Sequence, residues 1–306
     1  MVRRVPQPSA AHAMDLRQLR YFVAVARERN FTRAAAQLHI AQPPLSRQIQ
    51  LLEQELGVQL VIRDSRPVQL TDAGRLLHEQ AIQILGRVEQ TREATRRVGL
   101  HQRAVLSIGF VASTLYGGLP AVLKMLRARA PELEIRMVEL MSIEQLAALK
   151  AGRIDLGFGR VRHSDPGVAG IVVHEERLAV AVPKSSPLAG TAQPLPIGLL
   201  AGQPLIVYPK EPRPGFADQV LDALHGHGVE PAEVHEVREI QTALGLVAAE
   251  FGVCLIPASA CQMRHDLDYR LIDSERVSSP VILNYRLNDR SPYIALVEAL
   301  IGEVYR

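Results

Sequence analysis

The chain has 306 residues, about twice the length of an ordinary domain, so two or three domains are expected and a single small module is excluded. Hydrophobic residues make up 47% and charged residues 22%, a globular balance that excludes bulk disorder. The net charge of +3 is unevenly spread: residues 1–100 carry 15 Arg, no Lys and 9 acids, a net of +6, while the remainder carries −3, so a basic front part suited to nucleic acid precedes a mildly acidic rear.

The leader MVRRVPQPSAAHA, residues 1–13, lacks the apolar stretch of a signal peptide and is expected to be a disordered tail or the product of an upstream start codon. No run of about 18 apolar residues occurs, so no spanning helix is expected. The two cysteines, Cys254 and Cys261, lack C-x-x-C spacing; they read as core filler in a reducing cytoplasm.

A patterned segment starts at Met14. Leu16, Leu19, Phe22, Val23 and Ala26 recur on one helix face up to Asn30. Thr32 is placed to cap a short second helix, whose Ala34, Ala35, Ala36 and Leu38 permit close approach of a neighbour. After a turn at His39 to Ala41, a third helix opens with Gln42, Pro43 and Pro44, turns Leu45, Ile49, Leu52 and Leu56 inward, and stops at Gly57. In a helix-turn-helix this is the helix that enters the major groove, and its outward side chains at that end are Gln42, Ser46, Arg47 and Gln50. Val58 to Ile62 and Val68 to Leu70 then predict two short strands around a basic turn, with Arg66 at its tip within reach of a phosphate or a narrow minor groove.

Leu16 to Gly74 closely resembles the winged helix-turn-helix of LysR-type transcriptional regulators, through the motif A-A-x-x-L…Q-P-x-L-S-x-Q-I…L-E-x-x-L-G-x-x-L. The resemblance implies binding to double-stranded promoter DNA through Thr32, Gln42, Pro43, Ser46, Arg47, Gln50 and Arg66. Ala41 departs from the family's usual serine and cannot cap the recognition helix, at a cost of about 1 kcal/mol.

Thr71 is placed to cap a helix from Asp72 to Val98, about 40 Å long, with an apolar stripe of Ala73, Leu76, Leu77, Ala81, Ile84, Leu85 and Val88. So narrow a stripe favours pairing with a second chain, and the resemblance implies a homodimer through this helix and a homotetramer beyond it.

From Val105 strands and helices alternate: VLSIGF, a helix Leu119 to Ala130, LEIRMVEL, a helix Ser142 to Lys150 and IDLGFG. A second unit follows with LAVAV, LIVY, a helix Phe216 to His227, EVHEV, a helix ending near Phe251, and VCLIP. The alternation predicts parallel strands and two α/β lobes with a cleft suited to a small anion. The fold class is therefore α/β, with an N-terminal winged helix-turn-helix at 14–71, a linker helix at 72–100 and a two-lobed effector domain at 101–306. Lobe I is expected at about 103–175 and 280–306, lobe II at about 176–279.

Among catalytic motifs H-E-x-x-H, G-x-S-x-G, Walker and G-x-G-x-x-G sequences are absent, so no enzyme, cofactor or metal site is expected. His225 and His227 read as a helix terminus; His163 and Asp165 read as surface loop. The segments FVASTLYGGLP, ALKAGRIDLGFGR, ERLAVAVPKSSPL, YPKEPRPGFADQV and EVREIQTALGLVAAEFGVCLIPAS resemble the LysR branch that senses cis,cis-muconate in catechol and benzoate degradation, with an effector domain like a periplasmic binding protein. That resemblance implies a dicarboxylate held by Ser113 and Thr114, Ser142 and Phe216. From the residues alone, Ser113 and Ser142 stand at helix starts and Arg160 can add charge. Part of the branch has a second, benzoate-binding site with an arginine where this chain has His174, near Glu176 and Tyr293, a departure that counts against a benzoate response. The alternatives are a sensor of a chlorinated muconate or another aromatic-pathway acid, an enzyme with an accessory DNA-binding head, and a redox sensor using Cys254 and Cys261.

Overall fold

A computed structural model of the chain describes residues 14–305 apart from 64, 66, 100–103, 191–192 and 290. The leader at 1–13 and Arg66, expected at the wing tip, lie outside the described residues. The chain divides between Val98 and Gly99 into two compact units.

In the first unit, α1 (Leu16–Glu28) starts in a capping box: Gln18 N–H donates to Asp15 Oδ1 at 2.7 Å and Asp15 N–H to Gln18 Oε1 at 3.1 Å. Its buried stripe is Leu19, Phe22, Val25 and Ala26; contrary to expectation Leu16 is exposed and Val23 only half-buried. The cap of α2 (Phe31–Gln37) is Asn30, whose Oδ1 accepts from Thr32 N and Arg33 N at 2.9 and 3.0 Å, so Thr32 is not the cap. Asparagine precedes the first helical residue with extended backbone, which turns its side-chain oxygen onto those amides. Ala34 and Ala35 are buried, Ala36 exposed.

The helix α3 (Gln42–Leu56) has no side-chain cap at Ala41 and ends at Gly57, whose φ of 68° is the left-handed conformation glycine tolerates. Leu45, Ile49 and Leu52 are buried, but Leu56 is exposed. The strands β1 (Val61–Ile62) and β2 (Gln69–Leu70) pair antiparallel as the wing. Glu53 fastens the wing to α3: its Oε1 accepts from Leu60 N and Val61 N at 2.9 and 3.2 Å and its Oε2 from Arg63 Nη2 at 2.8 Å.

The helix α4 (Asp72–Gly99) has 28 residues and is capped by Thr71, whose Oγ1 accepts from Gly74 N at 3.0 Å. A Cβ at Gly74 would sit 2.0 Å from the Leu60 carbonyl oxygen, so only glycine lets the helix start against the wing. Ala73 and Leu77 pack on the core of the first unit and Ala81 is fully buried, whereas Leu76 and Ile84 are exposed.

In the second unit, β3 (Val105–Phe110) leads through a 3-10 turn, Ala112–Tyr116, to α5 (Leu119–Arg129), β4 (Glu134–Glu139), α6 (Ser142–Lys150) and β5 (Leu156–Gly159). A 16-residue strand, β6 (Val168–Pro183), then carries the chain into a second half made of β7 (Pro204–Val207), α7 (Phe216–Gly226), β8 (Glu233–Glu236), α8 (Ile240–Ala248), β9 (Cys254–Pro257) and β10 (Leu267–Leu271). The strand β11 (Ser278–Arg286) returns beside β6, and α9 (Pro292–Val304) closes the first half. Two cores result, one around Ile108, Leu126, Phe158 and Leu300, the other around Val180, Ile206, Leu244 and Ile256.

The sheet is mixed rather than parallel. The pairs β3–β4, β3–β5 and β7–β8 are parallel as the alternating pattern predicts, but β6 pairs antiparallel with β9, β10 and β11, and β11 antiparallel with β5. The long antiparallel β6–β11 ladder, with an irregularity between Val281 and Ile282, links the two halves.

Candidate nucleic-acid interface and ligand cleft

Asn30 and the turn through His39, at φ 54°, set α2 and α3 in the helix-turn-helix arrangement. Thr32 on α2 and Gln42, Pro43, Arg47 and Gln50 on α3 are exposed. Ser46 is half-buried and its Oγ accepts from Gln42 Nε2 at 3.0 Å, which steadies two polar groups on one turn. The first turn of α3 holds Pro43 and Pro44, which have no N–H, where a capping hydroxyl would find its donors, so the expected cost of Ala41 does not arise; the positive end of the helix dipole still favours a phosphate. Arg63 lies over the Phe31 ring at 5.5 Å, joining the wing base to α2.

In the second unit, Ser113, Ser142, Arg160 and Phe216 line one cavity of about 320 Å³, near the lower end of the range for small-ligand pockets, about 300–1,000 Å³. Three helices open onto it, α6 at Ser142 and Ile143, α7 at Phe216, and α8 at Ile240 and Gln241; Glu144 and Asp218 accept from the Met141 and Gly215 amides at 2.9 and 2.6 Å, while the amides that follow have no side-chain cap. Their dipoles and free N–H groups point to an anionic ligand.

Ser142 is the first residue of α6 rather than its cap, a place taken by Met141. The serine is needed elsewhere: its Oγ accepts from the Arg160 backbone N–H at 2.9 Å. Ser113 Oγ likewise accepts from Arg160 Nε at 2.8 Å. Both hydroxyls therefore serve as acceptors toward Arg160 and keep their protons for a ligand.

Thr114 does not face the cleft. It is buried, and its Oγ1 donates to Val111 O at 2.7 Å, closing the 3-10 turn that aims Ser113. Arg160 supplies less net charge than its sequence position suggests, because its Nη2 is paired with Glu176 Oε2 at 2.7 Å and both residues are buried. Burial pushes the Glu176 carboxyl up, but the Arg160 charge and the Ser259 hydrogen bonds outweigh it and hold it below the usual range. Arg160 Nη1 remains without a partner among the described residues.

Sequence reasoning missed Tyr208, Met141, Arg238 and Ile240, which also line the cavity. The signal for Tyr208 is its place at the head of the proline-rich YPKEPRPGF run, whose Pro209, Pro212, Pro214 and Phe216 line the same cavity. His174 stacks against Tyr305, ring centroids 5.4 Å apart, and Tyr293 lies on the first turn of α9. His163 and Asp165 are half-buried rather than free surface: His163 Nε2 meets Asn284 Oδ1 at 2.9 Å and Asp165 pairs with Lys150 at 2.8 Å. His227 caps α7 as expected. Cys254 is core, and burial raises the half-buried Cys261 thiol to about 11, so neither presents a thiolate.

Residues 16–75 match the family of bacterial regulatory helix-turn-helix proteins of the lysR type, and residues 100–306 match the LysR substrate binding domain. The chain is 73% identical over 292 residues to a probable cat1 operon transcriptional activator of Acinetobacter lwoffii, covering 95% of this chain and 96% of that one. It is 47% identical to the HTH-type transcriptional regulator CatR of Pseudomonas putida, covering 95% and 99%. Its structure resembles the crystal structure of full-length CbnR complexed with target DNA, with a TM-score of 0.67 and 30% identity over 95% of this chain and all of that one. The chain belongs to the LysR family of DNA-binding transcriptional regulators and is not an enzyme.

Proposed function

We propose that this protein is a cytoplasmic activator of catechol or benzoate catabolism that answers to cis,cis-muconate. The carrying observation is the convergence of Ser113, Ser142, Arg160 and three helix starts on one small cavity. Two carboxylates need many hydrogen bonds to replace their water, and this cavity offers hydroxyls, amides and a guanidinium edge with little net charge. The similarity to the cat1 operon activator supports the choice of pathway.

The reader head is assigned to residues 14–71, the linker to 72–100 and the effector domain to 101–306. The DNA contacts are Thr32, Gln42, Pro43, Ser46, Arg47, Gln50 and Arg66. The exposed Leu76 and Ile84 on α4 support pairing of two chains along this helix, with a tetramer built from two such dimers. Such a dimer sets two heads on the half-sites of a palindrome.

A thermal-shift screen over muconate, chloromuconates, benzoate and aliphatic diacids tests the reading. Muconate should give the largest rise in melting temperature, growing with the logarithm of its concentration. A larger rise with a chloromuconate would transfer the protein to that pathway, and the absence of a shift with every acid would reject the effector assignment.

A further inference from the structure

Resting on the dicarboxylate reading, we infer that Tyr208 is an effector-binding residue: its hydroxyl donates to the carboxylate on the lobe II side of the cleft, opposite the Ser113–Ser142 pair. Tyr208 follows β7 directly, is 7% exposed, and lines the cavity. Its ring is fixed against Phe216, centroids 5.2 Å apart, and its hydroxyl has no hydrogen-bond partner among the described residues. A buried hydroxyl left unpaired loses its hydrogen bonds to water with no return, so one retained in a cavity lining is best explained by a partner that arrives with the ligand.

The chemistry of that partner follows from what lies around it. Arg160, 2% exposed and another residue of the same lining, holds a second buried donor, Nη1, without a partner among the described residues. Two buried donors without an acceptor call for an oxygen that accepts, as a carboxylate does, while the exposed Glu139 and Glu239 also line the cavity. Burial pushes the Tyr208 phenol well above its ordinary value, so it stays a neutral donor and does not repel an anion.

The placement divides the work between the lobes. Ser113, Ser142 and Arg160 belong to the β3–β5 half, whereas Tyr208 and Phe216 belong to the core of the other. A diacid held by both sets bridges the halves, while a monoacid engages one. Tyr208 thus reads the second charge, and binding favours whichever lobe arrangement lets both ends be met.

The test is calorimetry of the full-length protein with cis,cis-muconate, comparing wild type, Tyr208→Phe and Ser113→Ala. Tyr208→Phe should weaken muconate binding at least fivefold while the effector-free melting temperature stays level or rises, because the variant removes an unpaired buried hydroxyl. Equal affinity in Tyr208→Phe and wild type overturns the inference and leaves the muconate reading standing if Ser113→Ala is weakened. Failure of the wild type to bind muconate overturns that reading and the inference with it. Should Tyr208→Phe melt well below wild type, a crystal structure of the wild-type complex decides: the Tyr208 hydroxyl at about 2.7 Å from a carboxylate oxygen supports the assignment, and one turned away from the ligand refutes it.

Discussion

Arg160 donates from Nη2 to Glu176 Oε2 at 2.7 Å, and the same guanidinium donates from Nε to Ser113 Oγ at 2.8 Å. One buried ion pair therefore sets the position of a cleft hydroxyl. Glu176 in turn accepts from the Ser259 backbone N–H at 2.7 Å, which carries the network into the loop after β9.

Breaking that pair should be costly. Glu176→Gln leaves a buried guanidinium uncompensated, and the expected loss is about 3–5 kcal/mol of stability. Chemical denaturation measures it. The pH dependence has a definite sign: the folded carboxyl lies below its ordinary value of 4.5, so its stabilisation is complete above that pH and fades as pH falls through the lower folded value. Glu176→Gln should flatten this acid limb of the stability curve; an unchanged limb would assign it to other carboxylates.

Ser142→Ala should lower both stability and muconate affinity, since the serine accepts from the buried Arg160 N–H and offers its proton to the cleft. Ser142→Thr keeps the hydroxyl and should restore both within a few fold. Loss of affinity without loss of stability in the alanine variant would show that the Arg160 amide finds another acceptor.

Ala41→Ser should leave the stability of the reader head unchanged, because Pro43 and Pro44 occupy the positions whose N–H groups a capping hydroxyl would serve, and proline has no N–H. Thermal melting of the full chain reads the effect on the transition of the first unit. A rise of about 1 kcal/mol would mean that the added hydroxyl finds a donor outside this first turn.

Arg47→Ala should weaken binding to a catechol-operon promoter fragment by about 1–3 kcal/mol if it reads a base edge, with discrimination between sequences falling in parallel. A uniform loss over all fragments with a shallower salt dependence would make it a phosphate contact instead. Glu53→Ala, which releases the wing from α3, should lower stability and weaken DNA binding together.

Much of this was legible in the sequence for physical reasons. The reader head is local: helix periodicity, Gly57 and the proline start of α3 specify it within a short stretch. What failed there were single caps and faces, because Asn30 and Thr32 are both able capping residues and only backbone geometry chose Asn30. In the second unit the alternation of strands and helices was visible, but the antiparallel β6–β11 ladder was not, since Val168 and Arg286 meet across a long separation in sequence. Ser142 and Phe216 were legible as the starts of predicted helices and Ser113 as a residue ahead of one, but Phe216 was named as a ligand contact only through the family resemblance. The pairing of Arg160 with Glu176, the inward turn of Thr114 and the cleft position of Tyr208 depend on tertiary contacts that no spacing encodes.

Footprinting of a catechol-operon promoter fragment, with and without cis,cis-muconate, bears most directly on the union of DNA reader and acid sensor in one chain. Protection of a palindromic site whose boundaries or cleavage pattern change when muconate is added is the predicted result. Protection that is identical with and without the acid, or no protection at moderate salt, would contradict it.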